Sequence, residues 1–127
     1  MWDSMLRTEH WDVVHGFGME VEGWIVLATR RHVAVIADLT EAEAAELGTL
    51  VHRASVALRD VLGVEKTYVA QFAESPDHAH VHVHVIPRPE DPAFRGPSVF
   101  GLMNGTDVPE ARMDEIALAL RAALGDR

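Results

Sequence analysis

Four histidines occupy alternate positions in the segment HAHVHVHVIPR, residues 78–88. Side chains of a β-strand point alternately to opposite faces, so this spacing predicts a strand that carries His78, His80, His82 and His84 on one face. Histidine has no special preference for strands, and threonine, lysine or glutamate would serve a merely solvated face equally well. A row of imidazoles therefore indicates chemistry at this face.

Three chemistries use neighbouring imidazoles. In metal binding, two histidines at i and i+2 share an ion, and His15, His32 or Asp77 would supply a third ligand, although nothing in the sequence requires one. General acid–base catalysis needs only one tuned histidine. In nucleophilic catalysis, an imidazole nitrogen attacks phosphorus while its neighbours stabilise the charge on the phosphate oxygens. The last chemistry accounts best for several histidines together and is our first hypothesis.

The composition is that of an ordinary soluble globular protein, with 127 residues of which 48% are hydrophobic and 24% charged. This length predicts a single domain over residues 1–127. No apolar run approaches the roughly 20 residues of a membrane span, and the N-terminal segment lacks the pattern of a signal peptide. Since cysteine is absent, disulfides and thiolate metal sites are excluded, and we expect a cytoplasmic protein.

The formal net charge of −9 argues against two classes of partner. Neither a nucleic acid polymer nor an anionic membrane surface would be attracted to such a chain. A small anionic ligand would have to be held by locally arranged donors.

Periodicity predicts the elements that position the histidine strand. Segments DVVHGF and GWIVLATR are typical of short strands. The helix that follows begins with a capping box between Thr40 and Glu43 and ends at Gly63. A strand over 67–73 is then expected to pair antiparallel with the histidine strand over 79–87.

The rest of the chain completes an α+β architecture. Residues 89–107 are expected to form an ordered surface loop, and VPEARMDEIALALRAAL is typical of an amphipathic helix. The order of strands, helix, strands and helix predicts an antiparallel β-sheet, with the central helix and the C-terminal helix packed on one face. Val81, Val83 and Val85 should point toward these helices.

The segment from His80 to Ile86 matches the histidine-triad pattern His-φ-His-φ-His-φ-φ, in which φ is apolar. A register beginning at His78 fails, because it would require an apolar residue where His84 stands. Upstream, GWIVLATRRHVAVIADL is similar to the stretch that precedes the central helix of that family. Over residues 10–95 the chain thus resembles the histidine-triad superfamily.

The resemblance implies a role for each triad position. His82, the middle histidine, would attack the α-phosphate of a nucleotide and form a nucleotidyl-histidine that water then cleaves. A backbone carbonyl near the first histidine would hold the Nδ1–H of His82 and leave Nε2 to attack. His84 would contact phosphate or the leaving group, and His80 would have a mainly structural role. Gln71, on the neighbouring strand, would contact the phosphates.

The implied activity is that of a cofactor-independent nucleotide hydrolase or transferase. Its substrate would be a nucleoside phosphoramidate or a dinucleoside polyphosphate, and the family implies a homodimer whose contact surfaces are the central helix and an edge strand. The alternative is a nucleotide-binding or metal-binding module of the same fold with little turnover.

The loop before the triad departs from the pattern of the family, which often has Ala-Gly-Gln-Ser/Thr. Here it reads AESPDHA, so Pro76 removes an amide donor and Asp77 stands where a hydroxyl is usual. Asp77, His78 and Arg88 are the expected contacts at the phosphate end of the substrate. There, His78 or Arg88 would have to offset the acidic Glu74 and Asp77.

Two further departures affect recognition of the nucleoside. Trp24 replaces a strand histidine of the family, and we expect it to pack in the core rather than to stack on a base. Gly16 stands where a ribose-binding Asp or Asn is expected. Next to it, His15 is either a polar contact to the substrate or a plain sheet-edge histidine.

Overall fold

A single antiparallel sheet organises the chain in the computed structural model, which describes residues 1–77, 79–104 and 106–125. The sheet has the order β1-β2-β3-β5-β4. Its strands are β1 (Leu6–Arg7), β2 (Trp11–His15), β3 (Ile25–Thr29), β4 (Thr67–Ala70) and β5 (His82–Pro87). The two α-helices are α1 (Glu41–Leu62) and α2 (Glu110–Gly125). The α+β architecture predicted from the sequence is confirmed.

Helix α1 has the predicted boundaries, because both ends satisfy their backbone groups locally. The Glu43 N–H donates to Thr40 Oγ1 at 3.0 Å, and the Thr40 N–H donates to Glu43 Oε1 at 2.8 Å. At the other end Gly63 adopts a left-handed conformation, with φ of 69°, and its N–H bonds to carbonyls of the last turn. Glycine takes this conformation without the steric cost that a Cβ brings.

The main core lies between the helices and one face of the sheet. Val81, Val83 and Val85 are buried there, as predicted, since alternate residues of a strand share a face. Helix α2 contributes the predicted apolar stripe to the same cluster, with Ile116, Leu120 and Leu124 buried. No helix in the described part of the chain is both long and apolar enough to cross a membrane.

The predicted pairing of the last two strands is confirmed, but both strands are shorter than expected. Strand β5 begins at His82 because the Val81 N–H bonds instead to the carbonyl of Val33, in the loop after β3, at 2.6 Å. Strand β4 ends at Ala70, and Ala73 then takes a φ of 55°, outside the extended region of a strand. In the observed register Ala70 lies opposite His84.

The segment after β5 is more regular than the predicted loop. It forms two 3-10 helices, over Pro92–Phe94 and Gly96–Asn104. Such short helices have no long periodic pattern by which the sequence would reveal them. Val99 from the second one is buried against Trp24 and Ile86, on the face of the sheet opposite the two α-helices. This small second cluster supports the face that carries the histidines.

Candidate active site

Imidazole rings form a row on the sheet face opposite the helices. The ring centroid of His82 lies 5.1 Å from that of His84 and 6.1 Å from that of His80. His32 extends the row, with its centroid 5.8 Å from His80. His78, the fourth member in the sequence prediction, lies outside the described residues. The sequence suggested His32 only as a metal ligand. Its place in this row could have been predicted from its position soon after β3, because β3 pairs with β5.

The hydrogen bond of His82 fixes the position of its proton. Its Nδ1 lies 2.9 Å from the carbonyl oxygen of His80. A carbonyl oxygen only accepts hydrogen bonds, so Nδ1 must carry the hydrogen and donate it. The neutral ring therefore has its nucleophilic lone pair on Nε2.

His84 has the opposite tautomer, because a tryptophan donates to it. The Trp24 Nε1–H donates to His84 Nδ1 at 3.0 Å, and the two rings meet edge to face at 89°. An indole nitrogen is only a donor, so the neutral imidazole of His84 carries its hydrogen on Nε2. Burial, followed by the charge of a protonated His82, lowers the pKa of His84 to about 4. At neutral pH His84 is thus an uncharged hydrogen-bond donor.

Trp24 is fully buried, in agreement with the prediction that it packs rather than stacks on a base. Its bond to His84 was not predicted from the sequence. Phe100 supports both side chains, with its centroid 6.0 Å from Trp24 and 6.2 Å from His84. Trp24 is therefore a positioning residue: it determines which nitrogen of His84 carries the hydrogen.

A cavity of about 270 Å³ opens beside the histidine row, above β2 and β3. His80, His82 and His84 form its polar wall. Its other walls are mainly apolar and include Val14, Phe17, Met19, Val26, Ala28 and Met103. The cavity thus combines an apolar lining with one wall of imidazoles.

His15 also touches this cavity, but both of its ring nitrogens are used inside the protein. Its Nδ1–H donates to the Gly16 carbonyl at 2.7 Å, and its Nε2 accepts from the Gly23 N–H at 2.9 Å. The ring is fully buried, and burial lowers its pKa. Strand β1 pairs with β2 only at Asp12 and Val13, so among the described residues His15 has a strand partner on the β3 side alone, and its interpretation as a sheet-edge histidine stays open. A polar contact between His15 and a ligand would have to break one of these two bonds.

Three other predicted contacts are not among the residues that line the cavity. Gln71 directly follows β4, and its buried Oε1 has no hydrogen-bond partner among the described residues. Asp77 is exposed in the turn before β5. Arg88 follows the far end of β5, roughly 20 Å along the strand from His82. Its guanidinium lies 3.6 Å from the Glu65 carboxylate, so the structure does not bring Arg88 to the histidines.

The described residues contain one set of three side chains with spacing suited to a metal ion, and it does not include the triad. Ligand atoms of Glu9, His10 and Glu46 all lie within 4.8 Å of one another. In the histidine row, by contrast, the Nδ1 atoms of His82 and His84 already have partners within the protein.

Neither a protein-family model nor a curated protein matches this sequence. Solved structures do match. A histidine triad protein from Bradyrhizobium japonicum superposes with a TM-score of 0.78 and 26% identity, covering 95% of this chain and 89% of that one. For a Hit-like protein involved in cell-cycle regulation from Bartonella henselae, the TM-score is 0.76, the identity 18%, and the coverage 95% and 85%.

A diadenosine triphosphate hydrolase from Plasmodium falciparum also has this fold. Its TM-score is 0.74 at 16% identity, covering 98% of this chain and 78% of that one. The shared fold agrees with the complete His-φ-His-φ-His-φ-φ segment that runs into β5. By fold and motif together, the chain belongs to the histidine-triad superfamily.

Proposed function

We propose that the protein is a nucleotide hydrolase or transferase in which His82 Nε2 attacks the α-phosphate of the substrate. The observation that carries this proposal is the pair of opposite tautomers in adjacent rings, His82 and His84, whose centroids are 5.1 Å apart. One ring provides a lone pair and the other an N–H donor on the same face of the sheet. Attack on a phosphoryl group needs both, a nucleophile and a donor for the charge that develops on oxygen.

The reaction proceeds in two displacements. In the first, Nε2 of His82 forms a bond to phosphorus, and the bond to the leaving group breaks with its electron pair. The adduct ring is positively charged and keeps its Nδ1–H bonded to the His80 carbonyl. In the second, water attacks phosphorus, the N–P electron pair returns to Nε2, and the proton of water is released. Transfer would use another nucleophile in place of water.

The cavity supports a nucleoside as the retained half of the substrate. Its apolar walls suit a base, and its polar wall lies where an attached α-phosphate would meet His82. A dinucleoside polyphosphate and a nucleoside phosphoramidate both present such a group. The diadenosine triphosphate hydrolase with this fold makes the first of these a substrate to test directly.

Substitution of His82 tests the nucleophile. Asparagine fits the strand and remains polar, but it cannot attack phosphorus, so His82→Asn should abolish turnover and leave folding and ligand affinity nearly intact. His84→Asn should slow the reaction by about 10²- to 10³-fold, the scale for one lost charge-stabilising donor. Mass spectrometry of the trapped adduct should locate it on His82. An adduct on His80 or His84 would show that the register is wrong.

The competing function is a nucleotide-binding or metal-binding module with little turnover. Incubation with nucleoside phosphoramidates and diadenosine polyphosphates, with and without a chelator, separates the possibilities. We expect turnover that a chelator does not change. Turnover lost with the chelator, or a metal released from each histidine variant, would instead support a metal site.

We further propose that the chain assembles as a homodimer. Among the described residues, strand β4 is at the edge of the sheet with β5 as its one neighbour, and Val69 on it is 53% exposed. An unpaired edge with an exposed apolar side chain is a suitable contact surface. Light scattering at micromolar concentration should give twice the chain mass; a mass near 14 kDa would contradict the dimer.

A further inference from the structure

Phe72 presents an exposed aromatic ring on the other side of the histidine row from the cavity. It lies two residues after Ala70, which is opposite His84, and its side chain is 60% exposed. Its ring centroid lies 5.3 Å from that of Phe100, at 81°. Because Phe100 also lies against His84, this contact places Phe72 on the histidine face.

The cavity and Phe72 therefore lie on opposite sides of the reacting nitrogen. The cavity is above β2 and β3, whereas Phe72 follows β4, across β5. At 270 Å³ the cavity is just below the range of about 300–1,000 Å³ that holds drug-sized ligands. This volume suits one nucleoside, so the other half of a larger substrate would lie outside the cavity, and Phe72 is an exposed aromatic ring on the far side of the histidines.

We infer that Phe72 is a second aromatic platform, on which a base of the leaving half stacks while the retained half occupies the cavity. The inference rests on the proposed function and deepens it. A platform at Phe72 would favour nucleotides whose α-phosphate carries a leaving group with an aromatic end, such as dinucleoside polyphosphates. Stacking on a phenyl ring accepts any base, since every base has a π face.

The chemistry of the leaving group also favours dinucleoside polyphosphates. When His82 Nε2 bonds to the α-phosphorus of a dinucleoside polyphosphate, the bridging P–O bond breaks. The bridging oxygen keeps the electron pair and becomes part of the terminal phosphate of the departing nucleotide, which is stable as an anion. An amine would instead need a proton, and His84, with its pKa lowered to about 4, is largely uncharged at neutral pH.

Two substrates of equal charge test the platform. Diadenosine triphosphate leaves ADP, whereas the γ-methyl ester of ATP leaves methyl diphosphate from the same adenosyl α-phosphate. Phe72→Ala should lower kcat/KM for diadenosine triphosphate by about fivefold or more, as expected for one lost base–aromatic stack, and leave that for the methyl ester unchanged. Phe72→Tyr retains an aromatic ring, so the ratio of kcat/KM for diadenosine triphosphate to kcat/KM for the methyl ester should stay at the wild-type value.

Leu118→Ala is the matched control. Leu118 is 62% exposed on α2, so its loss removes a comparable apolar surface away from the site. This substitution should leave kcat/KM unchanged for both substrates. If Phe72→Ala keeps the wild-type ratio or slows both substrates equally, the platform is refuted and the His82 mechanism stands. If the wild type turns over neither substrate and forms no adduct, the proposed function fails, and this inference fails with it.

Discussion

Trp24→Phe should remove one hydrogen bond from the site while keeping an aromatic ring beside Phe100. The indole N–H is the donor to His84 Nδ1 at 3.0 Å, and phenylalanine has no donor to replace it. His84 then has two options. It keeps a buried acceptor without a donor, or its hydrogen moves from Nε2 to Nδ1. The second option turns a lone pair toward the phosphate oxygens, where the wild type offers an N–H.

The two consequences have different magnitudes. An unsatisfied buried acceptor costs about 1–3 kcal/mol of stability, and the smaller ring adds a cavity cost because Trp24 is fully buried. For the reaction, the largest loss is that of one charge-stabilising donor, about 10²- to 10³-fold in kcat. We therefore expect Trp24→Phe to slow turnover by no more than His84→Asn does.

Nitrogen NMR of the imidazole rings and a double-mutant cycle measure these effects. In Trp24→Phe the resonances of His84 should move toward the Nδ1–H tautomer. Phe100→Leu, which alters packing against the same two rings but removes no hydrogen bond, should leave the tautomer unchanged. In a His84→Asn background, Trp24→Phe should cost little further activity, because it acts through His84. An equal loss in both backgrounds, or an unchanged tautomer, would refute the reasoning.

Three predictions concern stability, each measured by urea unfolding. The pKa of His84 is lowered from its usual 6.5 to about 4, so between these values the unfolded chain binds a proton that the folded chain does not. The free energy of unfolding should fall by at most about 3 kcal/mol as the pH drops through this window, and a profile identical to that of His84→Asn would contradict this. Thr40→Ala should cost about 1 kcal/mol by removing the cap of α1, whereas Thr40→Ser should not. Gly23→Ala should cost about 2 kcal/mol or more, because Gly23 has a φ of 87° and a Cβ there would lie 2.6 Å from Leu62 Cδ1; an unchanged unfolding midpoint would refute it.

The features that the sequence predicted correctly depend on local periodicity. Alternation from His80 to Val85 determines which side chains face the core, and the helical stripe with its Thr40 cap determines α1. The predicted turn between segments 67–73 and 79–87 correctly indicated antiparallel pairing, although the connection between β4 and β5, residues 71–81, is longer than that turn. In each case the residues that decide the structure are close in sequence, so a pattern in one segment is sufficient.

The features that the sequence did not predict depend on contacts between segments that are distant along the chain. Trp24 and His84 are 60 residues apart, and their bond exists because β3 pairs with β5, in a register that no alternation specifies. His32 joins the row for the same reason. Proximity to the triad in sequence predicts Arg88 at the substrate, but the extended strand β5 separates it from His82.

The burial of His84 connects the stability of the fold to the chemistry of the site. A ring exposed to water would be protonated over part of the physiological range, and it would then lose the defined tautomer that Trp24 imposes. Burial keeps the ring neutral, so its hydrogen stays on Nε2, which in the proposed reaction donates to a phosphate oxygen. The same burial makes protonation of His84 favour the unfolded chain. Acid sensitivity of the fold and a preorganised donor at the site thus have one physical cause.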